Sequence, residues 1–177
     1  RVHGRSDVVH ASGRPHRDHS FVAGHSPSWI GRSVHVIVER AGPDRVRVDI
    51  RSDAGHAFPT GDMFRRVKLL LFGDDEQGTI VASSERTFGR TWGHVESGPF
   101  ANLRRELSDT RIRGRFTEEV TLDRGLAGKP PSDRGASSPV AIARVRWVLV
   151  FERVLSMRGT DDVTLESSDV VAEGTAN

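Results

Sequence analysis

The chain has 177 residues, 36% of them hydrophobic, plus 18 glycines; this is the composition of one globular domain, not of a disordered chain. Basic and acidic residues nearly cancel at 26 against 24, and the high isoelectric point reflects 24 arginines beside 2 lysines. With no run of five basic residues, the chain offers only a weak electrostatic footprint for nucleic acid.

There is no cysteine, which excludes disulfides, a thiolate nucleophile, Cys-ligated zinc and covalent c-type haem attachment within these residues, and leaves the compartment open. The apolar stretches at 68–72 and 147–151 are too short to span a bilayer. The sequence starts at Arg1 with no apolar segment behind it, so a processed protein or, preferentially, a fragment of a longer chain is expected.

Residues 1–33 carry five of the eight histidines (His3, His10, His16, His19 and His25) among Gly, Ser, Pro and Arg. They show neither a helical nor a strand period, and an extended arm is expected. Regular structure is expected from Val34. Val34, Val36 and Val38, then Val46, Val48 and Ile50 beyond an Ala41-Gly42-Pro43-Asp44 turn, alternate with polar residues as in a hairpin with one buried face.

A loop over Ser52–Asp62 leads to a buried strand near Arg66–Phe72, a turn over Gly73–Gly78 and a strand over Thr79–Phe88. A short helix is expected near Asn102–Leu107, and another strand near Phe116–Leu122. A Gly/Pro-rich loop over 125–139 precedes Val140–Leu155, where Val145, Trp147, Leu149 and Phe151 share one face. Residues 157–177 read as a loose acidic tail. Strands joined by turns, without a long amphipathic helix, predict an all-β, antiparallel, immunoglobulin-like sandwich over 34–156.

Two features point to chemistry. Imidazole is the commonest protein ligand for zinc, copper and haem iron. His16, His19 and His25 on one arm are therefore candidate metal ligands, although their spacing fits no structural zinc pattern and a solvated arm gives the same sequence. The second feature is Ala54-Gly-His56-Ala-Phe-Pro-Thr-Gly-Asp62. Gly55, Gly61 and Pro59 restrain this loop, so His56 is either a ligand held in a fixed direction or a residue capping a strand end.

No nucleophile, base and orienting group can be named together, and no enzyme is expected. Arg65-Arg66 and Arg104-Arg105 read as surface charge, and Trp29, Trp92 and Trp147 as packing residues.

The string His19-Ser-Phe-Val-Ala-Gly-His25, the hairpin after it and Gly55-His-Ala-Phe-Pro-Thr-Gly61 before Phe64-Arg65-Arg66 resemble the C-terminal β-domain of multihaem c-type cytochromes. Asp109-Thr-Arg-Ile112 and the strand over Val145–Arg153 match the same family, so the resemblance covers roughly residues 16–155. The repeated Cys-x-x-Cys-His motifs of that family are missing here.

The resemblance thus implies a haemless module of an electron-transfer assembly, in a bacterial periplasmic or extracellular setting. Its partner would be a multihaem cytochrome polypeptide, with haem c held by that partner or by a missing N-terminal portion. It also implies that His19, His25 or His56 supplies a distal axial ligand in trans, bis-His ligation being suited to electron transfer. The competing expectation is an extracytoplasmic binding or adhesion sandwich with a metal-binding arm.

Overall fold

The computed structural model describes residues 26–59, 64–94, 97–99, 103–124, 140–158 and 162–176. A helix α1 (Pro27–Arg32) is followed by strands β1 (Val34–Arg40), β2 (Arg45–Ser52), β3 (Arg65–Asp74), β4 (Ile80–His94), β5 (Arg104–Asp109), β6 (Arg115–Thr121), β7 (Arg144–Arg158) and β8 (Asp162–Thr175). Two antiparallel sheets result, ordered β1-β2-β6 and β5-β4-β3-β7-β8.

The expected hairpin is β1–β2, with Val36 opposite Ile50 and Val38 opposite Val48. Its alternation buries Val46, Val48 and Ile50 completely and leaves Arg45, Arg47 and Arg51 in solvent. β3 lies at the centre of the larger sheet, with Val67, Leu69 and Leu71 opposite Phe151, Leu149 and Trp147 of β7. All six face the smaller sheet and are buried. The Phe88 and Phe116 rings meet edge to face across the sheets at 4.8 Å. Arg86 of β4 forks onto Glu118 of β6 through bonds of 2.8 and 3.1 Å.

The chain changes sheets between β2 and β3, and again at β5–β6 and β6–β7. Among the described residues this is the strand order of an immunoglobulin variable-type sandwich without the strand that would lie beyond β6. A five-residue turn, 110–114, stands where that strand would be in the sequence.

Three segments differ from the sequence expectation. Within the expected arm, Pro27–Arg32 is helical: Pro27 stands in the first turn, where its missing N–H costs nothing, and Ile30 is buried. Arg104–Asp109 is strand β5, not helix. Among the described residues it pairs only with β4, and the exposure of Leu107 removes the alternation that would mark a strand. The expected acidic tail is largely strand β8, paired along β7 from Arg146–Thr175 to Arg158–Asp162. Register shifts near Leu149 and Val154 break its two-residue period.

Helix α1 packs on β8 at very short range. A Cβ placed on Gly31 would lie 2.4 Å from the carbonyl oxygen of Val171. Gly31→Ala is expected to push α1 off the strand and cost about 1–3 kcal/mol. Faster amide exchange at Ile30 and Ser33 would accompany the loss; an unchanged urea midpoint would count against this packing.

Candidate functional site

The loop after β2 is tied down at both ends. The N–H of Ser52 donates to the carbonyl of Gly114 at 2.7 Å, and that of Asp53 to Ser33 at 3.0 Å. Gly114 has φ +78°, a conformation that favours glycine. The Asp53 carboxylate accepts from His35 Nε2 at 2.9 Å and faces Arg51 Nε at 3.2 Å.

Gly55 turns the chain at φ +69°. At the far end Phe58 is buried in the core, and its backbone forms a two-bond bridge with Ile112 of 2.8 and 2.7 Å. The Phe58–Pro59 peptide is cis. His56 lies between these anchors with its side chain in solvent, and makes no hydrogen bond or ion pair with any described residue. Its backbone is thus held between two anchors, while its imidazole is free of partners among the described residues. His35 is not free, being bonded to Asp53.

The partner of Phe58 belongs to a second tightly held turn. Asp109 accepts from Arg111 Nε and Nη2, both at 2.8 Å, from the Arg111 backbone N–H at 3.1 Å and from Arg113 Nη2 at 3.0 Å. Hydrogen bonding by Arg111 holds the Asp109 carboxyl well below the usual carboxylate range, against the opposing effect of burial. Thr110 Oγ1 lies 3.1 Å from the N–H of Gly89, and the Thr110 N–H donates to the Gly89 carbonyl at 2.9 Å. The two strings singled out from sequence, Gly55–Pro59 and Asp109–Ile112, therefore meet in space through one backbone bridge. Sequence gave no sign of that contact, because only the fold brings residues so far apart together.

His16, His19 and His25, as well as Thr60, Gly61 and Asp62, lie outside the described residues. Among the described residues no group of three or more His, Cys, Asp or Glu is placed to hold a metal ion. A groove of about 530 Å³ runs along the outer face of the larger sheet, lined in part by Arg66, Lys68, Arg90, Thr110 and Met157. Its cations are paired: Arg66 with Glu152, Lys68 with Glu85 at 2.8 Å and Arg90 with Glu106 at 3.2 Å.

Arg66 is mostly buried rather than surface charge. Trp147 is a core residue as expected, whereas Trp29 is 43% exposed with the Arg32 guanidinium over its ring. The indole N–H of Trp92 is buried with no partner among the described residues.

The two sheets and their strand order define an immunoglobulin-like β-sandwich. No protein-family model matches the chain, and no curated protein does. Among solved structures, the fold is shared with a penta-heme cytochrome c552 from Thermochromatium tepidum. The TM-score is 0.56 at 19% identity, over 89% of this chain and 43% of that one. At this identity the likeness is one of fold, and the chain spans less than half the length of that cytochrome. Among the described residues no helix is long and apolar enough to cross a membrane.

Proposed function

We propose that this chain is a haemless β-sandwich module of a multihaem cytochrome assembly, packing against a haem-bearing polypeptide and presenting His56 as a distal axial ligand. The observation that carries this reading is the fold shared with part of a pentahaem cytochrome over 89% of the chain. The absence of cysteine assigns thioether attachment to other residues than these 177. The donor chemistry fits: an axial ligand in trans must be an exposed imidazole with a nitrogen not already engaged, and His56 meets both conditions.

When bound, haem supplies one-electron redox chemistry, and the axial ligand tunes its potential. The chain's own part is to direct one imidazole, to shield that face from water and to dock. This makes it a binding and structural module rather than an enzyme, related to the C-terminal β-domain of such cytochromes and placed in a bacterial periplasm or outside the cell. His19 and His25 are further ligand candidates.

The geometry of the strands supports a docking end. Strands β2, β4 and β7 finish, and β1, β3, β6 and β8 begin, at the end that carries the His56 loop. In variable-type immunoglobulin domains the corresponding end is the one that recognises ligands, although that parallel is an analogy of fold.

The test uses a ferric haem peptide that carries one axial histidine and an open sixth position. Titrated with the whole chain, it is expected to become low-spin, and His56→Ala should abolish that change. A signal kept in His56→Ala but lost in the His19→Ala/His25→Ala double variant would move the ligand to those positions. A signal kept in every variant, or never formed, would overturn ligation by these histidines.

A further inference from the structure

Resting on the reading of His56 as a ligand, we propose that the turn Asp109–Arg113 is the positioning device that holds the backbone of the His56 loop in place, with Asp109 and Arg111 as its positioning residues. The mechanical path is short. Thr110 pins the turn to β4 through Gly89. The Asp109–Arg111 fork locks the turn's shape, and both side chains are largely buried, at 14% and 12% exposure. Ile112 then holds Phe58 by two backbone bonds, and Phe58 stands two residues from His56.

Upstream, the loop is held at Ser52 and Asp53 and by a longer 3.3 Å bond from the Ala54 N–H to Ser52 Oγ. The Phe58–Ile112 bridge and the buried Phe58 ring are thus the downstream anchors. Without the bridge, the backbone at His56 would be held on that side by the ring alone and would move more freely. Groups hydrogen-bonded to a metal-ligating imidazole commonly change affinity by about 10–100-fold, and a turn that acts through the loop backbone is expected to reach the low end of that range at most. The bidentate fork suits this task because its planar geometry fixes two oxygens at once, which a lysine would not do.

The experiment is a double-mutant cycle on the full chain, read with the same one-histidine haem peptide and with amide exchange. Asp109→Asn is expected to weaken the His56-dependent low-spin complex about tenfold. It should leave unaltered any haem binding that persists in His56→Ala. Exchange at the Phe58 and Ile112 amides should quicken while the amides of β3 and β7 keep their protection. Arg111→Lys, which keeps the charge and loses the fork, should fall between wild type and Asp109→Asn.

An equal loss of binding in both backgrounds would overturn the proposal, as would unchanged affinity despite faster exchange. If the wild-type chain gives no His56-dependent signal, the ligand reading fails separately. The clamp is then judged by exchange alone: slow exchange at Phe58 and Ile112 in Asp109→Asn overturns it, and faster exchange supports it. Should Asp109→Asn fail to fold, Arg113→Ala carries the same test with a smaller loss, since Arg113 is 75% exposed and contributes one bond.

Discussion

Replacing Asp74 by alanine is expected to lower the unfolding free energy by about 3 kcal/mol. Asp74 ends β3 and is fully buried. Its carboxylate receives Arg146 Nε at 2.5 Å and Nη2 at 2.9 Å, with Arg144 Nη2 at 3.3 Å. Alanine would leave the Arg146 guanidinium without its anion, although that side chain is 37% exposed and can turn to water. For this reason the low end of the range for a broken buried pair applies. Arg146 also lies over the Phe72 ring at 5.5 Å, so the same change loosens apolar packing on the outer face.

The pH dependence gives an independent check. Hydrogen bonding by Arg146, opposed by burial, lowers the Asp74 pKa, and Arg111 lowers that of Asp109. A carboxyl with a depressed folded pKa contributes stability that is complete above its unfolded value, about 3.9 for Asp. That contribution is lost as pH falls through the lower folded value. Urea midpoints followed downward from pH 6 should therefore drop steeply below about pH 4. Asp74→Asn should flatten part of the drop. Parallel curves for the two proteins would mean that the buried pair carries no linkage.

What the sequence made legible follows from where burial is regular. β1, β2 and the central part of β7 alternate cleanly because one face of each packs across the sandwich and the other meets solvent or charge. β5 and β8 lie at the edges of the larger sheet. Leu107, Leu165 and Val170 point their apolar groups into solvent there, so composition and period gave no strand signal. Helix α1 has six residues, too few for a helical period to be counted.

Asp74 read as a turn residue beside Asp75 and Glu76. Its burial depends on Arg144 and Arg146, which reach it from another strand. A signal was present in the alternating arginines of β7, but only the register of β3 on β7 gives them a common partner. The His56 loop reads from sequence as restrained by its glycines and Pro59. The bonds that tie down its described part lie elsewhere in the chain, at Ser33, Ile112 and Gly114.

Phe58→Ala is expected to be the most damaging single change at this end of the sandwich, costing about 3–5 kcal/mol. The ring is 3% exposed and belongs to the same buried cluster as Phe88, Ile112 and Phe151. Truncation removes its transfer free energy and leaves a cavity beneath a loop that has no strand ladder of its own. Against a typical domain stability of about 5–15 kcal/mol, that is a large fraction. Phe58→Leu, which keeps most of the apolar volume, should cost about 1.5 kcal/mol.

The two variants also separate fold from site. Both leave the backbone bonds to Ile112 chemically intact, but alanine removes the side chain that seats Phe58 in the core. Equilibrium urea unfolding gives the stability loss. Amide exchange at residues 54–58 reports whether the loop opens before the sheets do. A loss below about 1 kcal/mol for Phe58→Ala, with unchanged exchange in the loop, would mean that the ring does not root it. The position of the His56 loop would then rest on backbone bonds alone.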